Sequence, residues 1–181
     1  SLISDISSIV EDRPRRRRQT PAEQRGDLIA LKQIKRQQGD QSFWLGQART
    51  SVGSFVDYFD TLIGWERFRA SQFGVHHLCT MGLNPREAND ERVNQGVIDV
   101  LPRYLEKDSV VGVGEIGLDD QTKTEEKFLA IQIDLAKRHA LPILIHTPHR
   151  DKVKGFRRCI DIVREQDFPW ERVLLDHGNE E

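Results

Sequence analysis

The sequence predicts an α/β protein in which helices cover a parallel sheet. Three observations carry that prediction. From Ser42 onward, short apolar runs alternate with stretches of helical periodicity. The apolar runs are continuous, as in strands buried on both faces. The polar residues that close them recur at a spacing of 31, about the length of one strand–helix unit.

Taken in order, residues 1–41 stand apart. They hold nine Lys and Arg against six Asp and Glu, whereas residues 42–181 hold 18 against 23. Arg13-Pro14-Arg15-Arg16-Arg17-Arg18 is the densest charge run, and no aromatic residue precedes Phe43. Such a stretch buries too little apolar area to offset its ordering entropy, so a basic, polar extension is expected over 1–41 and a domain over 42–181. Gln19-Thr20-Pro21-Ala22-Glu23-Gln24 follows the arginines, which excludes a twin-arginine export signal with its apolar core. The arginines can also be read as a phosphate-binding arm, without the aromatics that stack bases. Leu28, Leu31 and Ile34 can share one side of a short helix.

Ser54–Gln72 shows helical spacing through Phe55, Tyr58, Phe59, Leu62, Ile63 and Phe68, with Gly64 inside it and Gly74 as the stop. His76–Gly82 reads as a strand. Arg86–Glu106 reads as a largely helical return that Pro102 kinks or divides. Val110–Glu115 is a strand. Thr122 and Glu125 fit a capping box that opens a helix to His139, with Phe128, Ile131, Leu135 and Ala136 on one side. Pro142–His146 is a strand, Val153–Gln166 a helix, and Arg172–His177 a final strand.

A chain of 181 residues suits one domain and falls short of the about 250 that a closed eight-stranded βα barrel commonly needs. A net charge of −2 gives no bulk electrostatic case for nucleic acid or membrane. No apolar run approaches a membrane span. Cys79 and Cys159 cannot make a disulfide framework and have no CxxC spacing, so a reduced, cytoplasmic setting is expected.

The strand ends carry the chemistry. Glu115, His146 and His177 close three successive strands at the common spacing, and one step back lies Asn84, just before Pro85. In a parallel sheet the carboxyl ends share one edge, where α/β proteins bind ligands. One carboxylate and two imidazoles converging there suit a divalent cation such as Zn²⁺, Mn²⁺ or Mg²⁺. Gly112-Val113-Gly114-Glu115-Ile116-Gly117 also matches GxGxxG after a strand. In a dinucleotide fold the third glycine opens a helix and an acidic residue ends the next strand about 20 positions later. Here Leu118-Asp119-Asp120-Gln121-Thr122 intervenes and Asp134 falls inside a helix, so no nucleotide cofactor is expected.

Val113-Gly114-Glu115-Ile116-Gly117-Leu118-Asp119, then Gln132 and Leu135-Ala136, then Leu141-Pro142-Ile143-Leu144-Ile145-His146-Thr147, then Asp176-His177 resemble the TatD-type metal-dependent hydrolases. These are (β/α) barrels of the amidohydrolase-like group, many of them nucleases. The resemblance covers residues 43–181 and implies a partial (β/α)8 TIM-type barrel, incomplete at both ends. Phe43-Trp44-Leu45-Gly46 and Trp65-Glu66-Arg67-Phe68 look like a divergent branch. By motif position Glu115 corresponds to a carboxylate shared between two metals, and His146 and His177 to the histidines of the second. The family's opening HxH pair has no counterpart before Phe43, and His76-His77 lies at the wrong edge of the sheet. The family's closing aspartate, expected to handle the water proton, falls beyond Glu181. Asn84 stands where many relatives have histidine before proline.

Asp119 and Asp120 are further candidates for a base, and His149 and Arg150, with Asn84, for substrate contact. His139, Cys79, Cys159, Trp44, Trp65 and Trp170 read as packing residues. Two function classes remain open. One is a metal-dependent hydrolase of a phosphodiester or related ester, DNase-like and acting on a small-molecule or nucleic-acid phosphoester, with activity weakened by the missing ligands. The other is a non-catalytic half-barrel or binding module that oligomerises through open barrel edges.

Overall fold

The computed structural model describes residues 49–178, so the expected extension over 1–41, with its arginine run, and Trp44 lie outside the described residues. The first helix, α1, spans Val52–Asp60 and opens on a capping box between Ser51 and Ser54, with Phe55 and Phe59 buried. It continues through a wider π-helical turn, Thr61–Glu66, into α2, Arg67–Ser71. The periodicity marks this helix but not its wide turn, which contains Gly64.

Strand β1, Cys79–Met81, is shorter than the expected His76–Gly82. The return is divided, but not at Pro102. Helix α3, Pro85–Ala88, stops before a turn, and α4, Asn94–Leu105, runs through Pro102. The division is held by Asn94, whose buried amide donates to the Ala88 carbonyl at 3.1 Å while its Oδ1 accepts from the Gln95 amide at 2.6 Å. Strand β2 spans Val110–Gly117, α5 spans Lys123–Arg138, β3 Ile143–His146, α6 Lys152–Glu165 and β4 Val173–Asp176. The Thr122–Glu125 capping box forms as expected.

The four strands make one parallel sheet in the order β1-β2-β3-β4. This is the βα arrangement of consecutive barrel strands. Val113, Ile116, Ile143 and Ile145 are buried in the core with Leu129, Ile133 and Ile162 of the helices. Helix α4 packs against β1 and β2, and α5 packs against β2.

The even spacing of 31 does not translate into one even register. His146 pairs with Gly117 and Asp176, so β2 runs two residues past Glu115 and His177 lies just beyond β4. Between the pairs Val113–Ile143 and Ile116–Ile145, β2 uses two residues where β3 uses one. This extra residue sits at Gly114–Glu115, and such a bulge re-aims a side chain at the rim of a sheet.

Candidate metal centre

Three strands bring Glu115, His146 and His177 together. One ligand atom from each lies within 4.8 Å of the other two. Glu115 Oε1 is 3.4 Å from His146 Nδ1 and 3.8 Å from His177 Nε2. Two ligand atoms each about 2.0–2.2 Å from an ion, at the tetrahedral angle, stand about 3.3–3.6 Å apart. The first separation matches that range and the second lies slightly above it, so small side-chain rotations would bring the donor set onto one divalent ion. His146 Nδ1 supplies the independent test of that fit. It is buried, and its approach to Glu115 lacks the alignment of a hydrogen bond, so no partner satisfies it.

Local structure places each group. Gly117 has φ of +143°, and a Cβ there would stand 2.2 Å from the His146 carbonyl oxygen. Glycine is thus required for β2 to pass close to β3 at the site, which gives the third glycine of GxGxxG a sheet-packing reason. His177 turns out of β4 with φ of +57°, its amide donating to Asp176 Oδ1 at 2.8 Å. The buried Thr147 hydroxyl donates to the Asp176 carbonyl at 2.7 Å and ties the ends of β3 and β4 together.

Asn84 lies past β1 as the N-cap of α3. Its Nδ2 donates to Glu115 Oε2 at 3.2 Å and its Oδ1 accepts from the Arg86 amide at 3.2 Å. It orients the carboxylate. Behind it, the buried Gln132 clamps the Leu83 backbone, accepting from the amide at 2.6 Å and donating to the carbonyl at 3.1 Å.

Asp119 joins the centre from the loop after β2. Its Oδ1 is 3.7 Å from His146 Nε2 and its Oδ2 accepts from Arg86 Nε at 2.7 Å. Burial would raise the Asp119 carboxyl, but Arg86 and His146 outweigh it and hold it below its ordinary range. The Glu115 carboxylate, with Asp119 on the other side, raises His146 above the ordinary histidine range against the opposing effect of burial. Asp120 is exposed, and its amide donates to Glu125 Oε1 at 3.1 Å.

His149 and Arg150 follow β3 on an exposed loop. The His149 ring centroid lies 5.8 Å from that of His146 and 5.4 Å from that of His177. The Arg150 carbonyl accepts from Gln121 Nε2 at 2.8 Å. His76 and His77 precede β1, at the opposite end of the sheet from the site, as expected. Cys79 and Cys159 are unpaired thiols, pushed by burial up to about 11 and about 12. Two aromatic readings need correction. Trp65 and Trp170 are exposed instead of filling the core; Trp65 packs against Phe68 with the rings tilted by 31°, and Trp170 lies under the Arg164 guanidinium.

The family described as TatD related DNase matches residues 48–177. The chain belongs to this family. A Methanocaldococcus jannaschii protein described as an uncharacterized metal-dependent hydrolase is 32% identical over 127 residues, covering 70% of this chain and 50% of that protein. The crystal structure of a TatD-like protein from Archaeoglobus fulgidus matches with a TM-score of 0.62 at 31% identity, over 73% of this chain and 54% of that one. The chain thus spans about half the length of these TatD relatives. No described helix is long and apolar enough to cross a membrane.

Sequence reasoning missed Arg86, Thr147 and the part played by Glu125. Only Glu125 left a signal, as the third residue of a capping box.

Proposed function

We propose that Glu115, His146 and His177 hold one divalent metal ion and that the chain carries this part of a hydrolytic site acting on a phosphodiester or related ester. The supporting observation is the convergence of Glu115 Oε1, His146 Nδ1 and His177 Nε2, with the buried His146 nitrogen lacking any other partner. A divalent ion held by three protein ligands supplies Lewis acidity toward an ester or phosphoryl oxygen and brings water to nucleophilic strength near neutral pH. Asn84 fixes Glu115 through its second oxygen. Asp119 faces the remote nitrogen of His146 and favours the tautomer that frees Nδ1. The family description as a DNase and the relative's description as a metal-dependent hydrolase support the substrate class.

Thermal melts with and without Zn²⁺ or Mn²⁺ test the proposal. An ion at about 100 times its dissociation constant adds about 2.7 kcal/mol to the folded state. That rise is expected in the native chain and lost in His146→Ala and His177→Ala. A melt indifferent to metal would overturn the site. Bis(p-nitrophenyl) phosphate turnover by the loaded chain then tests the reaction. A second reading, a non-catalytic half-barrel, is favoured by β1 and β4, which each pair on one side only among the described residues.

A further inference from the structure

Arg86 stands behind the centre, linked to His146 through Asp119 and to Glu115 through Asn84, and is not used by the ligand set. Its side chain is 78% exposed, and its Nε is fixed on Asp119 Oδ2 at 2.7 Å. Asp119 in turn stands 3.7 Å from His146 on its other oxygen. The terminal nitrogens Nη1 and Nη2 have no partner among the described residues. The backbone beneath is also set, because the Arg86 amide donates to Asn84 Oδ1 while the Asn84 amide donates to Glu115.

This arrangement restricts a normally mobile side chain and leaves its outer donors open to solvent. A guanidinium presents parallel N–H groups that match the oxygens of a phosphate in pairs. The centre needs such a group. Glu115 belongs to it, and Asp119 and Asp176 each stand 3.7 Å from one of its histidines, so three carboxylates surround it and oppose an anionic substrate. We propose that Arg86 receives the non-bridging oxygens of the substrate phosphoryl group, with Asp119 holding it in place. The inference rests on the metal-site reading above.

The test uses the whole chain and the variants Arg86→Ala and Arg86→Lys. Each is titrated with Zn²⁺, and the loaded protein is then titrated with inorganic phosphate by calorimetry and ³¹P NMR. Because the side chain is exposed, the variants should keep the native circular dichroism and melt. Zn²⁺ affinity is expected to stay unchanged, while phosphate affinity falls about ten-fold or more in Arg86→Ala, the scale of a charge-assisted hydrogen-bond pair. Arg86→Lys should recover it only in part, since an ammonium is a point charge without the fork. Phosphate affinity indifferent to Arg86 in the loaded protein overturns the inference alone. So does Zn²⁺ affinity falling in step with phosphate affinity, because Arg86 would then act through Asp119. A native chain that takes up no Zn²⁺ overturns the metal reading and the inference with it.

Discussion

The two nitrogens of His146 face different groups. Nδ1 looks toward Glu115 and Nε2 toward Asp119. A carboxylate behind a ligating imidazole fixes the tautomer and raises the basicity of the ligand, and its loss typically costs about 10–100-fold in metal affinity. Asp119→Asn keeps the shape and removes the charge, so Zn²⁺ affinity in a competition titration should fall about ten-fold; an unchanged value would detach Asp119 from the site. The two thiols make an opposite case. Both are pushed far above neutral pH by burial, so almost no thiolate exists at pH 8. Iodoacetamide should label Cys79 and Cys159 only after unfolding; rapid labelling of the native chain would contradict their placement. At this scale Glu115, His146 and His177 were legible because they repeat with the strand–helix unit. Arg86 and Asp119 were not legible as a pair, because the first turn of the short α3 meets the loop after β2 across 33 residues and no period links the two.

Elements place these residues by means that the hydrophobic pattern records only in part. The order and direction of the strands follow from their continuous apolar runs. The extra residue in β2 at Gly114–Glu115 does not, since the apolar run stops at Glu115 and nothing in it shows that the strand continues to Gly117 around a bulge. The division between α3 and α4 is equally hidden, because it depends on where the Asn94 amide finds partners. Glu125 links an element to the site. Fully buried, it accepts from the backbone amides of Asp119, Asp120 and Thr122 and from Asn89 Nδ2, so the first turn of α5 holds the loop that carries Asp119. Glu125→Ala leaves several of these donors unpaired and removes the cap, and should cost about 3 kcal/mol in urea unfolding. A loss under about 1 kcal/mol would mean that water or a relaxed loop replaces it. Gly117→Ala would meet the His146 carbonyl at a backbone angle that favours glycine, and should lower both the melting temperature and Zn²⁺ affinity.

At the scale of the whole sheet, β1 and β4 are the outer strands among the described residues, and Leu174 on β4 is 38% exposed. Parallel sheets are ordinarily covered on both faces, and an unpaired edge offers a row of hydrogen-bonding groups to another strand. The relatives extend over about twice the length spanned here. Self-association that grows across the micromolar range is the expected result in light scattering, with copies meeting edge to edge. Leu174→Lys puts a charge on the outer strand, a device that blunts such pairing, and should shift the chain toward monomer. Glu115 and His146 sit on the interior strands β2 and β3, away from that edge. The same substitution should therefore leave Zn²⁺ affinity unchanged. A monomer at every concentration would remove the edge-pairing reading. Joint loss of association and Zn²⁺ affinity would instead show that contact along β4 sets the position of His177, making the metal centre a property of the assembled copies.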